Sequence, residues 1–311
     1  LTKMLEPHTP KVEKDDIQLG DLLAVFWSYK KLITSITGFF AIVSLIWVLS
    51  LPNIYQSVSM LEAKLDYDSK GSSGGSSLNA FSELAGVSIG GSGGEMANLA
   101  TATLTSRDFL KHLIQIDDLF LPKLIAVDYY DVKNNKLIYD PSKYNAETKE
   151  WLIPIPTHIG AYRHYRKILS VSSSRKTGYV TISVDHQSPE VASEFITLIF
   201  NEANSLIRER ELSKAGASLE YLYTQLGSVN QTEVLNSING LITVQLRKLT
   251  LANIKKNYLL DPIDSPFIPE TKSSPKRLQF LILGTLLGLV LSLLGVTVWH
   301  YAFSTTKSSK D

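Results

Sequence analysis

Residues 261–299 read DPIDSPFIPETKSSPKRLQFLILGTLLGLVLSLLGVTVW, and the stretch has two halves. The first carries Pro262, Pro266, Pro269 and Pro275. Each proline fixes φ near −65° and pushes the residue before it out of the α region, so this half is expected to be stiff and extended. The second half, Leu278 to Val298, has no charge. It meets the roughly 20 apolar residues that a helix needs to cross the hydrocarbon of a bilayer. Residues 261–277 therefore read as an extended lead into a transmembrane helix over 278–299.

A matching run, Leu32 to Leu51, is also free of charge and ends at Pro52. It is longer than the apolar core of a secretory signal, and no small-x-small cleavage pattern precedes Pro52, so a retained anchor over 32–51 is expected. Before it, Leu22, Leu23, Phe26 and Trp27 recur at helical spacing within residues 20–31, which predicts an interfacial helix. Residues 1–31 are thus a polar tail plus this helix. Lys30 and Lys31 precede the first span, and Lys307 and Lys310 follow the second. The positive-inside rule then places both termini in the cytoplasm. Lys276 and Arg277 flank the second span on the other side, which long translocated domains tolerate. Residues 300–311 are left as a short cytoplasmic tail, too short for a signalling or catalytic module.

Composition narrows the function. A net charge of +1 gives no footprint for nucleic acid. The chain has no cysteine, which removes disulfides and thiolate metal sites. The near-neutral overall hydropathy suits two spans around a large polar part, residues 52–277.

Within that part, Asn53 to Leu65 reads as a strand with Ile54, Val58 and Met60 on one face. Residues 69–94 are rich in Gly and Ser and enclose an apolar segment, Leu78 to Ile89. No Gly-Lys-Ser/Thr follows, so this is read as a loop rather than a phosphate cradle. Ser106-Arg107-Asp108 reads as a capped helix start that buries Phe109, Leu110 and Leu113. Lys136–Tyr139 and Trp151–Ile155 are strand candidates. Residues 168–174 and 179–185 read as a hairpin turning at Gly178.

Ser188-Pro189-Glu190 predicts the start of a long helix over 189–226. Its second half repeats Leu212, Ala215, Leu219, Leu222 and Leu226 at heptad spacing. A returning helix is expected over 231–258. The fold class is α/β (α+β), with a long projecting helix, anchored by two transmembrane helices.

No catalytic constellation is present. The six histidines show no metal-ligand spacing, and no GxSxG, phosphate-loop or kinase pattern occurs. No catalytic, metal or cofactor residues are expected. Two other groups are candidates. Gly284, Gly288, Ser292 and Gly295 form a small-residue stripe on the second span, suited to close packing of second spans in an oligomer. Arg208, Arg210 and Lys214 on the long helix are candidate glycan contacts, although a solvated face with internal ion pairs is the plainer reading.

The arrangement resembles the polysaccharide co-polymerases, or chain-length determinant (Wzz) family, and within it the short, kinase-free branch. The resemblance rests on Ile17-Gln18-Leu19-Gly20-Asp21-Leu22 through Trp27 and Lys30-Lys31-Leu32-Ile33. It rests also on Ser106-Arg107-Asp108-Phe109-Leu110, on the join at Gly178 to Ala192, and on Ser274-Pro275-Lys276-Arg277 with the glycine-bearing second span. The tail Ser304 to Asp311 lacks the tyrosines of the kinase-linked members. The Gly/Ser stretch at 69–94 departs from the pattern. The resemblance implies a two-pass inner-membrane protein with a periplasmic α/β domain, not an enzyme. It implies a homo-oligomer that sets the modal chain length of an O-antigen-type lipopolysaccharide. The implied partners are other copies, the membrane polymerase, the growing lipid-linked glycan and the bilayer. A capsule or exopolysaccharide export component is the alternative. A two-span receptor would need a cytoplasmic output module that the sequence does not offer.

Overall fold

The computed structural model describes residues 25–63, 93–174 and 176–307. They fall into two compact units, one made of the residues up to 52 with those from 275 onward, the other of residues 53–274. The Gly/Ser stretch and its segment Leu78 to Ile89 lie outside the described residues, apart from 93 and 94. So do most of the expected interfacial helix and the basic residues Lys307 (its side chain) and Lys310.

The first unit holds α1 (Lys30–Ser50), preceded by a helical turn at residues 25–28. The second unit opens with β1 (Tyr55–Ala63), α2 (Gly93–Leu104), α3 (Arg107–Ile116) and α4 (Phe120–Ile125). Two small ladders follow, β2 (Val127–Asp131) with β3 (Lys136–Tyr139) and β4 (Tyr144–Asn145) with β5 (Glu150–Trp151). Then come α5 (His158–Ile168), β6 (Leu169–Ser173), β7 (Tyr179–His186), α6 (Pro189–Leu226), α7 (Thr232–Ile254) and β8 (Leu260–Asp264). The chain returns to the first unit with α8 (Arg277–Lys307).

The main sheet has the order β6-β7-β1-β8, with every neighbouring pair antiparallel. Tyr55, Ser57, Ser59 and Leu61 stand opposite His186, Val184, Ile182 and Val180, and all eight are buried. The face expected from sequence, Ile54, Val58 and Met60, is therefore the outer one; Met60 is 39% exposed. Period two alone cannot choose between faces. The inner face was disguised by two serines, whose hydroxyls are satisfied locally. Ser57 donates to the Phe267 carbonyl at 2.7 Å and Ser59 to the Asp264 carbonyl at 2.6 Å.

The proline-rich segment also does more than extend. Its first residues form edge strand β8, with Pro262 opposite Leu61. An edge position tolerates a residue without an N–H. Strand candidate Trp151–Ile155 shrinks to the two-residue β5, because Pro154 and Pro156 deny donors to any longer ladder.

The inner sheet face is covered by α2 and the first half of α6. Ser188 caps α6, accepting from the Val191 N–H, with Pro189 in its first turn. Its 38 residues make a rod about 57 Å long. The first half buries Phe195, Ile196, Ile199 and Ala203 in the main core, where Phe120 stacks on Phe195 at 4.5 Å between ring centroids. The second half has no sheet to lie on. Its heptad seam packs instead on α7, with Leu219 against Ile238 and Ile242 and with Leu222, Leu226 and Leu249 around them. The result is an antiparallel helical hairpin.

Helix α7 stops at Ile254, short of the expected 258. Tyr258, Leu259 and Leu260 are drawn into the main core instead. Buried Asn204 of α6 holds them there. Its Oδ1 accepts from the N–H groups of Leu259 (2.8 Å) and Leu260 (2.9 Å), and its Nδ2 donates to the Leu260 carbonyl at 3.0 Å. The domain closes on itself: Ile54 N–H donates to the Ser274 carbonyl and Ser273 N–H to the Ile54 carbonyl, each at 2.9 Å. Its first and last residues therefore lie side by side.

Candidate functional site

Among the described residues, α1 and residues 277–300 of α8 are long and apolar enough to cross a membrane. Their large side chains face outward: Phe39, Ile46 and Leu283 are each about two-thirds exposed. Core helices of a water-soluble protein would bury such residues.

What the two helices do bury is the small-residue row. Successive contacts run Trp47 to Phe280, Ser44 to Gly284, Phe40 to Gly288, and Thr37 to Ser292. Numbers fall on α1 as they rise on α8, so the pair is antiparallel. The steps are of four residues on α8 and of three or four on α1, one contact per helical turn. A Cβ built on Gly284 would stand 2.6 Å from Ser44 Cβ, and one on Gly288 2.5 Å from Phe40 Cβ. Both lie closer than real Cβ atoms approach, so the absence of a side chain sets the separation here. Ser292 is 1% exposed, with its Oγ 3.4 Å from Thr37 Oγ1. Ser44 Oγ donates to the Phe280 carbonyl at 3.2 Å.

Gly295 meets nothing within 4 Å; the next buried member of the row is Val296. Sequence placed this stripe between second spans of neighbouring copies. In the structure its neighbour is the first span of the same chain. Small-residue spacing shows that something approaches closely, not which helix does so.

The cations expected to flank the membrane sit at both ends of the pair. Lys30 and Lys31 are exposed at the start of α1, and Lys30 Nζ lies 4.9 Å from the Trp27 ring centroid. Tyr29 meets His300 edge to face at 6.1 Å. Lys276 is exposed and Arg277 half-buried at the start of α8. Of the proline motif, Pro269 and Pro275 are buried, Pro266 half-buried and Pro262 exposed.

The candidate glycan contacts do not form one cluster. Arg210 and Lys214 are a turn apart on one exposed side of α6, and Lys214 lies 3.8 Å from a Glu211 carboxylate oxygen. Arg208 points elsewhere and is half-buried. Nearer the start of α6, a groove of about 430 Å³ is lined by Asp117, Glu190, Glu194, Thr197 and Asn201. Its carboxylates are already engaged. Lys123 Nζ donates to Glu194 at 2.7 Å, and Asn135 Nδ2 to Glu190 at 2.6 Å.

No group of three His, Asp or Glu suited to a metal occurs among the described residues. His186, which sequence could not rank, is a buried structural residue. Its Nδ1 accepts from the Ser188 N–H at 3.0 Å, and its Nε2 donates to the Lys123 carbonyl at 3.0 Å. Accepting at Nδ1 while donating at Nε2 requires the neutral ring, and burial holds its pKa below the ordinary histidine value. His112 bonds Glu202 at 3.1 Å, linking α3 to α6. Sequence also missed Tyr162 and Tyr165, whose hydroxyls donate to the Thr105 and Leu104 carbonyls and close the end of α2.

The Ser106-to-Leu110 motif is a helix start, as expected. Ser106 Oγ accepts from the Phe109 N–H at 3.1 Å, and Phe109, Leu110 and Leu113 are fully buried.

A family model described as Wzz, chain length determinant protein, matches residues 15–116. No curated protein matches the chain significantly. Among solved structures, a full-length bacterial polysaccharide co-polymerase matches with 13% sequence identity and a TM-score of 0.39, covering 91% of this chain and 99% of its own. The matched segment contains α1, β1, α2 and α3, the elements that carry the first apolar span and the capped motif at Ser106. Over residues 15–116, about a third of its length, the chain is thus similar to the Wzz chain length determinant family.

Proposed function

We propose that this chain is an inner-membrane polysaccharide co-polymerase that sets the modal chain length of an O-antigen-type surface polysaccharide. It acts as an oligomeric scaffold beside the membrane polymerase and performs no catalytic step itself. The observation that carries this reading is the chain length determinant match over residues 15–116.

The helix pair supports it. An antiparallel pair crossing a bilayer leaves both outer ends on one side and the intervening domain on the other. Lys30 and Lys31 favour the cytoplasm for the outer ends, which puts residues 53–274 in the periplasm. There the domain would pack beside its copies and hold the polymerase, or the growing lipid-linked glycan, for a characteristic extent. Arg210 and Lys214, on an exposed side of the long helix, are the candidate contacts for an anionic glycan.

The test is a gel of surface polysaccharide from a strain lacking this chain beside one in which it is restored. Loss of the preferred band cluster on deletion, and its return on restoration, is the expected result. Loss of surface glycan with accumulation inside the cell would indicate export instead. No change in amount or length would overturn the proposal.

A further inference from the structure

We propose that Lys30, Lys31 and Ser35 form a binding site for the phosphate of an anionic phospholipid. The inference rests on the reading of α1 as a membrane span. A shallow, open surface depression of about 540 Å³ is lined by Lys30, Lys31, Thr34 and Ser35. Lys31 and Ser35 are one turn apart on the same face of α1, and both are exposed. That face is opposite the Thr37, Phe40 and Ser44 side that packs on α8, so it meets whatever surrounds the pair.

The hydroxyls of the two helices sharpen the point. Thr34 donates to the Lys30 carbonyl, Ser50 to Trp47, Thr285 to Leu281, Ser292 to Leu289 and Thr297 to Leu293, while Ser44 reaches Phe280 and Thr37 meets Ser292. Among the described side chains of the two helices, Ser35 is the hydroxyl with no partner. A donor left bare at the edge of hydrocarbon is costly. An acceptor that reaches it from the headgroup layer relieves that cost. Neither lysine ammonium is paired with a carboxylate among the described residues. Lys30 is kept at interfacial depth by the Trp27 ring, 4.9 Å away.

Two cations and a neutral donor lining one depression suit the oxygens of a phosphate ester. The depth suits a headgroup: the charge-free run begins at Leu32, so Lys30 and Lys31 stand at the interface and Ser35 about one helical turn inside it. A zwitterionic lipid would present its own cation to Lys30 and Lys31, which disfavours it.

The experiment uses the full chain in detergent with added lipid, with native mass spectrometry reading the bound species. Phosphatidylglycerol should be retained in preference to phosphatidylcholine. K30Q/K31Q should weaken its retention roughly thirtyfold, from about a factor of five per lysine near an anionic surface. S35A should weaken it less. K111Q/K176Q, an equal loss of charge at exposed sites in the other unit, should change nothing. Millimolar inorganic phosphate should not displace the lipid. Equal retention of both lipids, indifference to K30Q/K31Q, or displacement by inorganic phosphate would overturn the inference. If the chain stays with membranes through an alkaline wash, such a failure leaves the proposed function standing. Release from membranes by that wash would sink both.

Discussion

Three residues carry more of the structure than their types advertise. Asn204 is the first. Polar and mid-helix, it reads in sequence as a solvated position, yet it is buried and ties α6 to the segment that enters β8. Replacing it with Ala strands the buried N–H groups of Leu259 and Leu260. N204A should destabilise the domain by about 2–4 kcal/mol, read as faster pulse proteolysis of the full chain. His186 is the second. It is held neutral in the fold, so an unfolded chain binds the extra proton more readily. Its contribution is complete above the ordinary histidine pKa of about 6.5 and is lost as pH falls below it. Neighbouring Asp185, raised by burial, acts with the opposite sign at lower pH. Between pH 7.5 and 5.5 the melting temperature of the wild type should therefore fall. His186→Asn keeps an acceptor near Ser188 without a titrating ring and should flatten that slope; an equal slope would reject the assignment. Gly288 is the third. A side chain there meets the Phe40 side chain, so G288L must push α8 away from α1.

At the scale of elements, legibility followed the local signal. Helix α6 spans the residues expected because Ser188, Pro189 and Glu190 mark its start and Gly227 its end, with no tertiary information required. The β6–β7 hairpin was legible through the clean alternation of Val180, Ile182 and Val184 and through Gly178, which has φ of 74°. The inner face of β1 was not, since Ser57 and Ser59 are buried through partners some two hundred residues away in sequence. Helices α2, α4 and α5 and strands β2, β4 and β8 were missed for a related reason. They are short, and what fixes them is non-local, such as the Tyr165 bond to Leu104 or the pairing of Leu260 with Ala63. For the candidate site, the small-residue row was legible and its neighbour was not. That neighbour can be tested because the chain lacks cysteine. T37C/S292C places two thiols where hydroxyls now lie 3.4 Å apart, and should form a disulfide within one chain on mild oxidation. Adding G288L should cut the yield several-fold. A crosslink that forms only between chains would place the stripe at a subunit contact instead.

For the whole molecule, two long apolar helices and a compact unit between them in sequence were readable from hydropathy and proline alone. The proposed function was not readable from any side-chain constellation, since on that proposal length control belongs to an assembly. The same freedom from cysteine gives a topology test. A single cysteine at Lys133, in the turn between β2 and β3, should react with a membrane-impermeant maleimide added outside spheroplasts. One at Asp16 should react only after the membrane is opened. Length control shows in the shape of the length distribution. A polymerase that stops with constant probability makes chains whose abundance decays steadily with length. Expressing this chain in a strain deprived of its own length regulator, with the polymerase unchanged, should convert that decay into a peak at one repeat number. Densitometry of the polysaccharide ladder reads this band by band. A distribution that keeps its steady decay, with the protein present in the membrane, would mean that this chain does not set length.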